Sequence, residues 1–328
     1  MKKCIVVINP RSGKGLNDQL AGKISSILTK YNYEPNVVIT EYRGHAEDIV
    51  KTADCDLLIS VGGDGTYYEV MNGNFLRKDP LVLSHIPVGT TNDIGHMYGL
   101  TKDIITNLKS ILDGKVKEVD VCSINNRDFV YVASFGKFME IPYETPQELK
   151  NRLGHIAYLL NGAKEVFKKA KRYDVTYEID GIKHNGKYTF IIISNANRIA
   201  GINDFYNDVL LDDGKFEVMF CSINKVAELA NAFLMLKTGN VSHVSGIEMY
   251  KTDNLTLTFN DDIKPWCLDG EKYDCEDLKV FEISSRHKVK MLIPTKNISK
   301  LFTEEKEKER KIEEKEGKTR ILGRIIRH

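Results

Sequence analysis

The strongest indication of the fold is a short stretch in which a buried strand runs straight into a group of glycines. Residues 57–61 are mostly apolar, and Gly62, Gly63, Asp64 and Gly65 follow directly. Thr66 can then cap a helix that ends near Asn72-Gly73. Such a strand–glycine loop–helix unit binds phosphate, because glycine lets the backbone approach closely and the helix N-terminus attracts negative charge.

The same glycine loop is also typical of a tight turn between a strand and a helix, so the glycines alone leave the two interpretations even. The presence of Asp64 in the loop favours the phosphate-binding interpretation. A carboxylate placed where phosphate would arrive makes sense if Mg²⁺ lies between the two negative charges.

The overall composition limits the class of protein. The chain has 328 residues, is 42% hydrophobic and carries a formal net charge of +1, which suits two ordinary domains and implies no bulk attraction to nucleic acid. Its six cysteines include no CxxC pair, so we expect free thiols in a reducing cytoplasm. No signal peptide or bilayer-spanning run is evident, so we expect a cytoplasmic protein that works at a membrane only from its surface.

Strands and helices alternate through the first part of the chain, and four polar loops follow strands there. The strand near residues 4–8 leads into Asn9–Gly15, and the strand near 37–40 ends at Thr40. The run at 81–88 leads into Gly89–Asp93, and the fourth loop is Gly62–Thr66. The alternation predicts a parallel sheet covered by helices, in which these loops meet at the carboxyl edge, the usual ligand site.

From Val119 onward the alternation stops and shorter strands dominate. We predict a hairpin over residues 120–133 and strands near 173–179, 188–194, 216–221, 255–259 and 278–283. Helical periodicity marks residues 146–171 and 226–237. This pattern predicts an antiparallel β-sandwich with inserted helices, and a cleft between two domains is a usual place for a substrate.

Taken together, the loops resemble the diacylglycerol kinase catalytic domain, in a group that includes sphingosine kinases and, more distantly, NAD kinases. The matching motifs are Asn-Pro-x-Ser-Gly at 9–13, Gly-Gly-Asp-Gly-Thr-x-x-Glu-Val-x-Asn-Gly at 62–73 and Pro-x-Gly-Thr-x-Asn-Asp at 87–93. Later segments, at 145–158, 211–214 and 268–271, resemble bacterial soluble lipid kinases. The chain departs from the family at Ser134-Phe135-Gly136 and Ala200-Gly201-Ile202, which could reshape the lipid site.

The resemblance implies an α/β fold, with an N-terminal parallel-sheet nucleotide-binding domain followed by an antiparallel β-sandwich domain. We assign residues 1–120, with a return strand at 288–296, to the ATP-binding domain. Residues 121–287 form the sandwich that completes the lipid site, and residues 297–328 form a charged helical tail.

The resemblance also assigns ligands. ATP binding is carried over to Asn9, Pro10, Arg11, Ser12, Gly13, Thr40, Gly62, Gly63, Asp64, Gly65, Thr66, Glu69, Thr90 and Asn92. Magnesium would be held near Asp64 and Asp93, partly through water, since Mg²⁺ keeps several of its waters.

Two acidic loops in the second part have alternative interpretations. By residue type alone Asp269-Gly270-Glu271 is a hairpin turn, but the resemblance makes Glu271 the base that deprotonates a lipid hydroxyl. Residues 211–214 are typical of a turn, and the resemblance equally implies a structural metal loop, in which Asp213 and the backbone of Leu210 and Lys215 would hold Mg²⁺.

We therefore expect an ATP- and Mg²⁺-dependent lipid kinase of phospholipid metabolism that phosphorylates diacylglycerol or a related lipid. The alternatives are a kinase of a soluble acceptor such as NAD, and a silent nucleotide or lipid sensor. The sequence allows a homodimer. The tail pairs Glu with Lys at four-residue spacing from Glu304, and we expect this charged helix to project from the body. It ends in a basic amphipathic segment, residues 320–328, that suits an anionic membrane or packs on the protein itself.

Overall fold

The structure is a computed structural model that describes residues 1–13, 18–136, 171–199, 202–203, 205–206, 208–224, 244–275, 277–296, 298–308 and 310–311. The helix expected at 226–237, the one at 146–171 except for its last residue, and the basic end of the tail lie outside the described residues.

The helices are α1 (Asp18–Lys30), α2 (His45–Thr52), α3 (Asp64–Phe75), α4 (Asp93–Met97), α5 (Ile104–Leu112) and α6 (Ile298–Leu301). The strands are β1 (Lys2–Ile8), β2 (Tyr33–Ile39), β3 (Leu57–Gly62), β4 (Val82–Pro87), β5 (Lys115–Ile124), β6 (Arg127–Phe129), β7 (Val132–Gly136), β8 (Tyr173–Ile179), β9 (Ile182–Tyr188), β10 (Phe190–Ser194), β11 (Arg198–Ile199), β12 (Ile202–Asn203), β13 (Phe216–Cys221), β14 (Ile247–Thr252), β15 (Asn254–Phe259), β16 (Trp266–Leu268), β17 (Glu271–Tyr273) and β18 (Val280–Ile293).

The first sheet begins with the parallel strands β2-β1-β3-β4 and confirms the predicted α/β organisation. Its central strands are apolar along almost their whole length because helices cover the sheet. Val6, Ile59 and Leu83 are fully buried in the core that these helices form with the sheet. The carboxyl ends of all four strands therefore meet at one edge.

Strand β18 joins the parallel strands to the rest of the molecule. Near its end β18 pairs parallel with β4 at Met291, and its first part pairs antiparallel with β15. On its other side β18 pairs with β5 along most of its length, with a bulge between Ser285 and His287. The strand that the sequence suggested as two pieces, at 278–283 and 288–296, is thus one continuous strand.

A second sheet, with the strand order β14-β13-β10-β7-β16-β17, is antiparallel throughout. It packs on the antiparallel part of the first sheet around a separate aromatic core that includes Phe135, Tyr177, Trp266 and Phe281. This is the expected sandwich. The expected hairpin at 120–133 is wrong in detail, because β6 pairs with β5 whereas β7 crosses to the second sheet.

Helix α3 differs from the prediction at both ends. It begins at Asp64 after Gly63, so Thr66 is not its cap; the Thr66 hydroxyl instead accepts a hydrogen bond from the Asn9 amide at 2.9 Å. The helix also continues past Asn72-Gly73. Gly73 is needed for packing rather than for ending the helix, since a Cβ there would lie 2.6 Å from the carbonyl oxygen of Glu47 in α2.

Within the described ranges, no helix combines the length and apolar character required to cross a bilayer. The start of the tail packs on the body, contrary to the expectation that it projects. Phe302 is fully buried, the Thr303 backbone N–H donates to Asp212 at 2.8 Å, and Lys117 of β5 pairs with Glu305 at 3.0 Å. Residues 303–308 are helical and include the expected Glu304–Lys308 pair.

Candidate active site

The loops at the carboxyl edge of the parallel strands contact one another directly. The Val88 N–H donates to the Gly62 carbonyl at 2.8 Å, and the Asn9 amide reaches Thr66 on α3. A Cβ on Gly89 would lie 2.6 Å from the Cα of Gly63, so glycine is required for this close approach. The three loops after β1, β3 and β4 therefore form one continuous backbone surface at the start of α3.

The loop after β1 forms a compact turn around Asn9. The side-chain oxygen of Asn9 accepts the Arg11 N–H at 3.0 Å, and its backbone carbonyl accepts the Ser12 N–H at 3.2 Å. Pro10 and Arg11 are exposed, and Gly13 approaches Val88, where a Cβ would lie 3.2 Å from the Val88 Cβ. The turn lies at the same edge of the sheet as the glycine loop, because β1 and β3 are parallel.

Two carboxylates lie together behind the glycine loop. Asp64 begins α3 and Asp93 begins α4, and the backbone N–H groups of Asp93 and Ile94 approach the Asp64 carboxylate at 3.4 Å. Burial, followed by the charge of Asp93, raises the pKa of Asp64 to about 6. A cation between them would relieve both effects, so this pair suits a metal ion that is also bound by phosphate.

Asp93 is held by two side chains from the sandwich region. The Tyr131 hydroxyl donates to one carboxylate oxygen at 2.5 Å and the Arg198 guanidinium donates to the other at 2.9 Å. Asp93 is only 3% exposed, and Arg198 partly compensates its charge. The contact links the loop after β4 to β11 of the second region.

Asn92 and Thr90 occupy different environments in the loop after β4. Asn92 is fully buried in a left-handed conformation, with φ of 54°, and its side-chain N–H donates to the Gly89 carbonyl at 2.9 Å. Its side-chain oxygen has no hydrogen-bond partner within the described chain. Thr90 is exposed at the loop tip. Asn92 therefore shapes the loop, whereas Thr90 is accessible to a ligand.

A tight hairpin between β16 and β17 carries the remaining acidic residues. Its two turn residues, Asp269 and Gly270, both have positive φ, which is the hairpin that residue type alone predicts. The Asp269 carboxylate accepts the backbone N–H groups of Val130, Tyr131 and Val132 at 2.8–3.0 Å. Burial raises the pKa of Asp269 to about 6, these hydrogen bonds oppose the rise, and the charge of Asp64 adds to it.

The Asp269 anchor therefore brings the hairpin to the carboxylate pair. Glu271, the first residue of β17, is 39% exposed at the side chain and forms an ion pair with Arg43. Arg43 lies in the loop after β2, which begins at Thr40. The carboxylate of Glu69, on α3, accepts the Gly44 N–H of that loop at 3.0 Å.

Comparison with known proteins identifies the family. The model described as the diacylglycerol kinase catalytic domain matches residues 3–124. A diacylglycerol kinase of Staphylococcus epidermidis is 34% identical over 241 residues, covering 73% of this chain and 76% of the relative. One from Staphylococcus haemolyticus is 32% identical over 262 residues, covering 78% and 79%. The chain belongs to the diacylglycerol kinase family.

As a member of the diacylglycerol kinase family the chain is a kinase, and membership implies the use of ATP. A crystal structure of a diacylglycerol kinase from Bacillus anthracis matches with a TM-score of 0.73 at 24% identity, covering 90% of this chain and 98% of that one. This likeness supports the two-part fold described above.

The loop for which the family resemblance suggested a structural metal is organised by a lysine instead. The Lys251 ammonium lies 2.8 Å from Asp213 and 3.4 Å from buried Glu217, and it donates to the Asp208 carbonyl at 3.1 Å. The other carboxylate oxygen of Asp213 accepts the Lys215 N–H at 3.0 Å.

Both carboxylate oxygens of Asp213 are thus engaged, one by the Lys251 ammonium and one by the Lys215 N–H. The contacts favour the turn, with Lys251 as its cation. Burial raises the pKa of Glu217 to about 7, and Lys251 opposes that rise.

The sequence did not reveal three residues of this site, which are Arg43, Tyr131 and Arg198. It also did not reveal the anchoring role of Asp269. The first three lie outside the motifs, and each reaches the site across a large sequence separation. Asp269 was visible as part of an acidic turn, and its position beside Glu271 was the available signal.

Proposed function

We propose that this protein transfers the γ-phosphoryl group of ATP to the hydroxyl of diacylglycerol or a related lipid. The observation that carries the proposal is the Asp269 anchor, which supports placing Glu271 at the edge where the glycine loops and the Asp64–Asp93 pair meet. A nucleotide cradle, a carboxylate pair for metal and a nearby acceptor carboxylate are the parts that phosphoryl transfer needs.

In this proposal the backbone around Asn9–Gly13 and Gly62–Thr66 binds the nucleotide phosphates. Thr40 and Thr90 border the same edge, one nine-tenths buried and one exposed. The N-terminus of α3 contributes a positive dipole end to this surface. Asn92 and Glu69 act indirectly, because their side chains hold the loops rather than face the cradle.

Asp64 and Asp93 are the residues that would hold Mg²⁺. The fit rests on their placement: Asp64 and Asp93 begin α3 and α4, and the N–H groups of Asp93 and Ile94 approach the Asp64 carboxylate at 3.4 Å. A cation there would relieve the burial and repulsion that raise the pKa of Asp64. When bound, Mg²⁺ supplies charge neutralisation to the nucleotide phosphates. Arg198 and Tyr131 hold the Asp93 carboxylate in a fixed orientation.

Glu271 is the proposed base. The lipid hydroxyl oxygen forms a bond to the γ-phosphorus while the bond from that phosphorus to the β–γ bridging oxygen breaks, and the hydroxyl proton passes to the Glu271 carboxylate. The products are a phosphorylated lipid and ADP. The Asp269 hydrogen bonds position β17, so Asp269 acts through Glu271 rather than on the substrate.

We also keep three sequence-based assignments as proposals. The division into residues 1–120 with the return strand at 288–296, 121–287 and 297–328 remains one of them; its first boundary falls inside β5. A lipid surface as partner, contacted through the end of the tail, is the second. A homodimer is the third.

The experiment is transfer of labelled phosphate from ATP, with the purified protein presented in parallel with diacylglycerol in mixed micelles and with NAD. We expect a labelled phosphatidic acid and no labelled NADP. Label on NAD would establish a soluble acceptor, and no transfer to either acceptor or to an extracted lipid mixture, despite nucleotide binding, would indicate a sensor.

A further inference from the structure

The segment Glu41–His45, here named the β2–α2 loop, is tightly organised although it is at the surface. The Glu41 N–H donates to the His45 imidazole at 3.1 Å, and the Tyr42 ring stacks on that imidazole with centroids 4.5 Å apart and planes 8° apart. The Tyr42 hydroxyl donates to Asp48 of α2 at 3.1 Å. The loop thus has a defined conformation on the α2 side.

The other side of the β2–α2 loop is attached to the nucleotide site. Glu69 of α3 accepts the Gly44 N–H at 3.0 Å, and Gly44 has φ of 87°, which favours glycine. Thr40, directly before the loop, donates its N–H to the Ile8 carbonyl at the end of β1. Arg43 is therefore presented from a fixed backbone at the carboxyl edge, and its guanidinium pairs with Glu271.

The Arg43–Glu271 pair is suited to exchange. The Arg43 side chain is 78% exposed and that of Glu271 is 39% exposed, and exposed ion pairs contribute little to stability. A guanidinium also binds phosphate with two parallel hydrogen bonds, so an incoming phosphate competes well for it. The resting partner of Arg43 is the residue that we propose as the base.

We propose that Arg43 changes partner during the catalytic cycle: it holds Glu271 before nucleotide binds and then binds the terminal phosphate of ATP, releasing the carboxylate for the hydroxyl proton. This inference rests on the proposed function, because it takes Glu271 as the base. Nucleotide binding thereby frees the base only when a phosphoryl group is present to be transferred.

The test is a thermodynamic cycle on the binding of a non-hydrolysable ATP analogue, measured by calorimetry with Mg²⁺ present. The four proteins are the parent, Arg43→Met, Glu271→Gln and the double variant. Glu271→Gln should tighten binding about fivefold, since Arg43 no longer has a competing partner, and Arg43→Met should weaken it by a similar factor. In the Arg43→Met background, Glu271→Gln should have no effect.

Additive effects would overturn the inference, because a simple long-range repulsion between Glu271 and ATP would persist without Arg43. The matched control is Lys272→Met, which removes a positive charge next to Glu271 from a side chain that pairs with Asp274. In that background Glu271→Gln should still tighten binding. Turnover measured on the same proteins separates the exchange of Arg43 from the role of Glu271 as the base. An active Glu271→Gln variant would contradict that role, while the binding cycle would still test the exchange.

Discussion

At the residue scale, Asp64 shows how the site exchanges stability for function. Its carboxylate is buried near that of Asp93, and burial and repulsion both disfavour its charge. Such a residue is retained at a cost to stability when a bound cation or phosphate group needs it. The carboxylate of the neighbouring Asp93 accepts hydrogen bonds from Arg198 and Tyr131, so the charge of Asp64 is the less compensated of the two.

We predict that Asp64→Asn lowers turnover by about a hundredfold or more, because a neutral amide does not hold a metal against phosphate. The melting temperature in EDTA should stay the same or rise, since repulsion with Asp93 is relieved. Asp79→Asn, at an exposed position, is the control and should match the parent. Parent-like turnover of Asp64→Asn across a magnesium titration would rule out this role.

His85 gives a pH prediction that is independent of the active site. It is 1% exposed in β4, its Nδ1 lies 2.8 Å from the Ser60 hydroxyl, and burial lowers its pKa to about 3. The unfolded chain binds a proton near the ordinary histidine pKa of about 6.5. Because the unfolded state then holds more protons than the folded one, stability falls as the pH drops below that value, by about 2 kcal/mol at pH 5.

His85→Leu should remove that part of the acid sensitivity. We expect the loss of unfolding free energy between pH 7.5 and 5 to be smaller in this variant, measured by denaturant titration at both values. His287→Gln, which changes an exposed histidine, should keep the dependence of the parent. An equally steep loss in His85→Leu would show that His85 is protonated in the folded protein.

At the element scale, the loop at 208–215 depends on one ammonium group. Lys251 of β14 contacts Asp208, Asp213 and Glu217 together, and Lys288 of β18 lies 3.3 Å from Asp120, which accepts the Gly214 N–H. Removing Lys251 leaves two partly buried carboxylates uncompensated, and losing one partner of a buried pair is strongly destabilising.

We therefore predict that Lys251→Met lowers the melting temperature by several degrees and makes it respond to added Mg²⁺, whereas the loop in the parent gives no such response. Lys183→Met, which removes an exposed lysine that pairs only loosely with Glu178, is the control. The parent and Asp213→Ala should then show the same Mg²⁺-dependent shift. A larger shift in the parent would restore the structural metal at Asp213.

Elements with a strong local signal were predictable from the sequence. Strands β8 and β13 match their predicted bounds, because periodicity and β-branched runs are local. Elements decided by tertiary contacts were not: α3 continues through Gly73 because that glycine packs against α2, and α4 is too short for a periodic pattern. The partner of β7 could not be predicted because strand pairing is non-local.

At the scale of the whole molecule, the nucleotide region and the sandwich are joined by shared structure. Strand β18 belongs to both parts of the first sheet, Asp93 is held by Tyr131 and Arg198, and Asp269 binds the backbone before β7. The motifs identified which loops meet at the sheet edge, since parallel strands must bring their ends together. They could not show which sandwich side chains reach that edge.

The decisive measurement for Glu271 as the base is the turnover of Glu271→Gln with ATP and diacylglycerol, together with its affinity for a non-hydrolysable ATP analogue. Asp274→Asn, which neutralises a carboxylate three residues away that pairs with Lys272, is the matched control. We predict that Glu271→Gln loses turnover by at least about a hundredfold while it still binds the analogue, and that Asp274→Asn resembles the parent. Near-normal phosphorylation of the lipid by Glu271→Gln would contradict the assignment of Glu271 as the base.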